Sequence, residues 1–144
     1  MKYLLIGVVL LLVLGVGGFF YLGQQSQSGT APGLADGRLT PCPDSPNCAS
    51  SEPGTVADKQ VEPFPAVVWA LLPGTIAELG GTVTKEEAGY LAAEFTSSTF
   101  GFVDDVEFRL GEDMVHVRSA SRVGHSDGGV NSARVAALRL SLGL

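Results

Sequence analysis

Two stretches concentrate the residue types that do chemistry. The first is Asp104-Asp105-Val106-Glu107. The second runs from Arg118 through Ser121, Arg122, Gly124, His125, Asp127, Gly128 and Gly129 to Asn131, with Arg134 one turn further on. The second stretch leaves a strand, passes through small polar residues and opens a helix. Backbone amides at that helix start, with Arg118 and Arg122 beside them, are suited to holding a small anion. A hydrolase-like site is the enzymatic version of the same set. Asp104 or Asp105 would act as general base, the arginines would stabilise an oxyanion, and Ser121 or His125 could take part. No residue sits in a nucleophile motif, and the glycine spacing is neither a P-loop nor a dinucleotide fingerprint. Strand alternation sends Asp104 to one face and Asp105 and Glu107 to the other, which argues against a metal site there. No cofactor is implied.

The only cysteines, Cys42 and Cys48, flank Pro43-Asp44-Ser45-Pro46-Asn47. Prolines and turn-forming Asn and Asp bend this loop enough for a Cys42–Cys48 disulfide. Zinc held by Cys42, Cys48, His116 and His125 matches no standard spacing. Free thiols in a reducing compartment are the remaining option.

The elements that must position these residues read as follows. Phe64 to Leu79 has apolar residues at helical spacing, with Pro73 predicting a kink or two short helices and Gly80-Gly81 a stop. Thr82–Glu86 and Tyr90–Ser97 form a hairpin about Glu87-Ala88-Gly89, placing Val83 opposite Ala93 and Lys85 opposite Leu91. Leu91, Ala93 and Phe95 point inward; Tyr90, Glu94 and Thr96 point outward. A second hairpin turning at Gly111-Glu112 sets Phe108 opposite Val115, Val106 opposite Val117, Glu107 opposite His116 and Asp105 opposite Arg118. A slip of one residue would break both the apolar and the charged pairings. Asn131–Leu142 is a helix buried through Val135, Leu138 and Leu142. The predicted class is α+β: an antiparallel four-stranded sheet with two helices packed on one face, preceded by an N-terminal transmembrane helix.

That helix is Tyr3–Leu22, twenty residues without a charge. At 1.5 Å per residue it spans roughly 30 Å, the thickness of the hydrocarbon core. Lys2 is the flanking cation, so the N-terminus is expected in the cytoplasm and the rest across the membrane. Phe19, Phe20 and Tyr21 suit the interfacial belt. A cleaved signal peptide is the alternative, with Ser26-Gln27-Ser28 as its site. The chain therefore divides into a signal-anchor (1–22), a flexible Gly/Gln/Ser-rich linker (23–40) and an exported globular domain (41–144), with the bilayer contacted through residues 3–22.

The formal net charge is −6, which disfavours nucleic-acid binding. Between Asp36 and Glu107 twelve acids face three basic residues; from Arg109 onward five arginines face three acids. Such halves are expected to neutralise each other in the fold.

Four segments resemble the bacterial and plant proteins grouped as domain of unknown function 1499: Cys42 to Ser51; Tyr90 to Phe95 with the Thr-Ser after it; Phe102 to Glu107; and Arg118 to Asn131 with Arg134. The likeness covers residues 40–142. His125 and Gly128 depart from it, where an aromatic and a larger apolar residue are usual. The resemblance implies no established activity, only that these acids and arginines belong to the family pattern. Three functions follow. The domain is a binding or assembly module at the periplasmic side of a bacterial inner membrane, using Asp105, Glu107, Arg118, Arg122, Asp127, Asn131 and Arg134 to recognise a small anion or a membrane or periplasmic protein. Alternatively it is a hydrolase. In the third case the charged set is structural and the function lies elsewhere.

Overall fold

A computed structural model describes all residues from Met1 to Leu144. Helix α1 (Lys2–Gln27) is apolar on every side and has a mean hydropathy of 2.6 over its most apolar window, none of which is buried within the protein. It is long and apolar enough to cross a membrane. Two very short strands follow, β1 (Leu34–Ala35) and β2 (Arg38–Leu39), forming a tight hairpin. Then come β3 (Cys48–Ser50), β4 (Phe64–Pro65), a 3-10 helix (Ala66–Leu71), α2 (Leu72–Glu78), β5 (Thr82–Glu87), β6 (Tyr90–Thr96), β7 (Val103–Leu110), β8 (Met114–Ser121) and α3 (Val130–Ser141).

The α+β class holds, but the sheet has six strands rather than four. Its antiparallel order is β3-β8-β7-β6-β5, with β4 also pairing along β8. The two extra strands are too short and proline-flanked to carry an alternation signal. Pro65 is tolerated because β4 lies at the sheet margin, where its missing N–H breaks no central ladder. The helical stretch splits as Pro73 requires. The 3-10 helix hands over to α2, and Pro73 falls in the first turn of α2, where no amide is needed. Gly80, at φ +84°, then closes α2: its N–H donates to Ala77 O and the Gly81 N–H to Ile76 O, the paired bonds of a Schellman motif.

Both hairpins differ from the sequence pairing in register. In the first, Glu87 pairs with Tyr90, so the loop is Ala88-Gly89, and a bulge between Val83 and Lys85 restores Val83 opposite Ala93 while Lys85 meets Ala92. In the second, Phe108 faces Val117, Leu110 faces Val115, Glu107 faces Arg118, Arg109 faces His116 and Asp105 faces Ala120. The ladder runs on to Gly111, whose N–H donates to Met114 O at 2.8 Å, so the turn is Glu112-Asp113. A shift of two residues keeps every side chain on its face, so apolar alternation alone does not distinguish the two registers.

One face of the sheet carries the main core. Leu91, Ala93, Phe95, Val106, Phe108, Val115 and Val117 pack there against Val68, Leu72 and Ile76 of the helical stretch and Val135 and Leu138 of α3. The other face is covered too. Tyr90 and Ala92 are buried beneath Leu39, with Ala31 against them. Of the segment 23–40, expected as a flexible linker, residues 23–27 continue α1 and the rest is laid along the sheet through Ala31, Gly33 and Leu39.

Candidate functional site

The predicted site residues form two separate networks, one on each face of the sheet. On the linker-covered face, Glu107 is fully buried and accepts three hydrogen bonds: from the Tyr90 hydroxyl (2.7 Å), the Gly33 amide (2.8 Å) and Arg118 Nη1 (3.0 Å). Arg122 bonds both oxygens of Asp105, at 2.9 and 2.7 Å, and also reaches Glu94. Arg109 grips Glu52 in the same bidentate way, at 2.7 and 3.0 Å, while Glu52 also accepts the Leu39 amide. Three acid–arginine pairs therefore staple residues 26–52 onto the strands.

The electrostatics follow from this geometry. Burial pushes the Glu52 carboxyl up, but the bonds from Arg109 and the Leu39 amide outweigh it and hold the group below the usual carboxylate range. Burial, and then the neighbouring Glu107 carboxylate, push the Tyr90 phenol well above its ordinary value. The hydrogen bonds to Asp105, and then to Glu94, raise Arg122 despite burial. One atom is left over: Arg118 Nε is buried and has no partner.

On the helix face, Arg134 pairs with Asp104 at 2.6 Å and lies over the Phe95 ring. Arg134 also donates to Ser119 Oγ and Asn131 Oδ1, and the Ser119 hydroxyl reaches the same Asn131 oxygen at 2.6 Å. Asn131 Nδ2 donates to Asn47 O, Ser121 Oγ and Asp127 Oδ2. Asp127 accepts the amides of Gly129 and Asn131, filling the start of α3. Burial pushes its carboxyl up, but those bonds dominate and hold it low. The expected anion site at this helix start is thus occupied by the protein's own carboxylate.

Cys42 and Cys48 are joined in a disulfide with a Cα separation of 5.7 Å. The bridge steadies Asn47, whose carbonyl accepts both Ser121 N and Asn131 Nδ2 and whose amide donates to Gly124 O. His116 Nδ1 contacts Ser51 O at 3.1 Å, and His125 is exposed.

A third feature lies where α1 enters the domain. Gly23 and Ser26 are buried. Ser26 Oγ accepts the Val103 amide at 3.0 Å, and Arg122 Nη1 donates to Ser26 O at 3.1 Å. A Cβ on Gly23 would stand 1.8 Å from Phe100 O, so only glycine fits. Phe19 packs against Phe100 at a tilt; Phe20 meets Phe100 edge-on, and Phe19 meets Phe102 edge-on. Beside this junction lies a cavity of about 300 Å³ bounded by Phe19, Leu22, Phe102, Asp104, Asp127 and Val130, among others. A cavity of about 360 Å³ between the β1–β2 hairpin and residues 52–59 contains Glu52 and Lys59; Glu52 is engaged by Arg109, and Lys59 by the carbonyls of Pro43 and Asp44. Neither cavity is lined by Asp105, Glu107, Arg118, Arg122, Asn131 or Arg134.

The sequence profile of the family described as protein of unknown function, DUF1499, matches residues 38–142. The chain belongs to that family. Curated proteins and solved structures give no match. The DUF1499 region holds both networks, except that the Gly33 amide and Ser26 carbonyl that complete the first come from residues before it. Sequence reasoning missed Glu52, Tyr90, Glu94 and Arg109 as members. Tyr90 and Glu94 share the outward face with Asp105 and Glu107, and that alternation was the available signal. Glu52 and Arg109 are 57 residues apart, and no local pattern joins them.

Proposed function

We propose that the protein is a membrane-anchored binding module of the extracytoplasmic side, whose charged residues are scaffold and whose working surface is the end of the domain against the anchor. The observation that carries this is the seat of Ser26 and Gly23. The anchor does not release the domain on a loose tether; its last turns pack against the domain through Gly23 and Ser26, which fixes the domain's orientation on the bilayer. The loops 97–102 and 121–130 then face the lipid headgroups. Lys2 on the near side of α1 and the disulfide on the far side support a cytoplasmic N-terminus in a bacterial inner membrane.

The anion-recognition and hydrolase readings of the charged set gain no support from the geometry. Asp105, Glu107 and Asp104 are each paired with an arginine, so none stands free as a general base. The arginines that would bind an anion already hold carboxylates. Such pairs set geometry rather than chemistry.

The test is positional. A photocrosslinking amino acid at Ser126, near the anchor, is compared with one at Glu112, at the opposite end of strands β7 and β8. Eight-residue strands separate the two positions by roughly 23 Å. A discrete adduct in native membranes from position 126 and not from 112 supports the reading. Adducts from 112 alone, or from neither, refute it.

A further inference from the structure

The cavity beside the anchor has an unusual pair of walls. Phe19 and Leu22 belong to the uncharged stretch of α1, while Phe102, Val103, Val123 and Val130 belong to the domain. With α1 across a bilayer, one wall therefore lies at the level where hydrocarbon gives way to headgroups, and the groove is reached from the membrane as readily as from water. Its volume of about 300 Å³ sits at the small end of ordinary ligand sites. That is too small for a folded partner and suited to part of one chain-like molecule.

The chemistry of the lining narrows the class. Six of the twelve lining residues are apolar and none is basic. The polar ones are Asp104, Asp127, Gly124 and the serines 97, 121 and 126. Asp104 lines the cavity; its Oδ2 is engaged by Arg134, while its Oδ1 accepts no hydrogen bond from any protein group and is not fully buried. Asp127 is matched only by amides of Gly129 and Asn131, with no cation against it. The polar end of the cavity therefore carries two carboxylates and three serine hydroxyls but no cation of its own. An anionic headgroup would meet two carboxylates there; a headgroup carrying an ammonium would supply the positive charge that the lining lacks.

We propose that this cavity binds one glycerophospholipid of the surrounding leaflet, its acyl chain along Phe19, Leu22 and Phe102 and its primary ammonium at Asp104 Oδ1 and Asp127. The site rests on the reading of the anchor-proximal end as the working surface and names what that surface holds. Its selectivity is for phosphatidylethanolamine over phosphatidylglycerol, since only the former brings a cation to the carboxylates.

The experiment uses the full chain in nanodiscs of equal phosphatidylethanolamine and phosphatidylglycerol, followed by release and native mass spectrometry. One retained phosphatidylethanolamine, favoured about ten-fold over phosphatidylglycerol, is expected. The variant Val130→Arg places a long cation at the rim, on a residue 48% exposed and so tolerant of change, and should lower retention about ten-fold with the thermal melt unaltered. Equal retention of both lipids, preference for phosphatidylglycerol, or undiminished retention in Val130→Arg would overturn the proposal. The lipid preference of the unaltered chain decides it even if the variant misfolds. The crosslinker at Ser126 separates the two claims. A lipid adduct supports both, a protein adduct keeps the working surface and removes the lipid, and no adduct removes both.

Discussion

Replacing Glu107 by Gln separates a scaffold from a site. Glu107 has no exposed surface and serves three donors on three different segments: Gly33 of the covering strap, Tyr90 of β6 and Arg118 of β8. Glutamine keeps the shape but removes the charge, and its amide nitrogen presents a donor where donors already converge. Arg118 would then be a buried cation without a counter-charge, and its Nε already lacks a partner. Breaking a buried pair costs about 3–5 kcal/mol, a large part of a domain's total of roughly 5–15 kcal/mol. For a domain near 100 residues that lowers the melting temperature by about 12–20 °C, taking about 4 °C per kcal/mol. The assay is a circular dichroism melt of the full chain in mild detergent. Arg118→Met alone should be comparably destabilised, leaving Glu107 unpaired. Glu107→Gln/Arg118→Met should recover about half of the summed loss, because the two defects are one interaction. A Glu107→Gln protein melting within about 2 °C of the parent would refute the reasoning. It would mean that the pair does not hold the strap down and that these charges are maintained for something else.

Three further outcomes follow from the same contacts. Gly23→Leu should unseat α1 from the domain, since even a Cβ there meets Phe100 O at 1.8 Å; limited proteolysis should then cut between residues 23 and 33, where the parent is expected to resist. Asp127→Asn should remove part of the acid limb of stability. The Asp127 carboxyl is held below its unfolded value near 3.9, so its contribution is present above that pH and is lost as pH falls through the lower folded value. The parent should therefore lose about 1 kcal/mol more than the variant between neutral pH and about pH 3, measured by urea unfolding. Tyr90 has the opposite sign. Its folded value is raised above the unfolded value near 10, so its contribution is full below pH 10 and declines above it; Tyr90→Phe should show a flatter alkaline limb and unchanged behaviour between pH 6 and 9.

The legible parts were those with a period or a strong local constraint. Uninterrupted apolar residues marked α1, alternation marked β6, β7 and β8, and Val135 with Leu138 marked the buried stripe of α3. The Cys42–Cys48 loop was short and bent enough to fix its own bridge. Register was not legible, because a two-residue slip leaves every face intact and only the length of the Glu112-Asp113 turn decides it. The extra strands were invisible because β3 and β4 are three and two residues long. The largest difference concerns residues 23–40. Their composition reads as a tether because they bury few side chains. They are fixed instead through the amides of Gly33 and Leu39 and through Ser26, contacts made by backbone and one hydroxyl that no hydrophobic pattern reports. For the same reason the outward face of the sheet looked like a binding surface when it is an interface with the chain's own strap.

The claim that the anchor seats the domain with loop 97–102 on the bilayer has a direct measurement. Trp69, the one native tryptophan, follows the strand that pairs with the far end of β8, whereas Phe100 packs against Phe19 and Phe20 of α1. In liposomes containing lipids brominated near the headgroup end of the acyl chain, native Trp69 fluorescence should be unquenched, and the Phe100→Trp/Trp69→Phe protein should be strongly quenched. Equal emission from the two proteins in brominated and ordinary lipid would contradict the account.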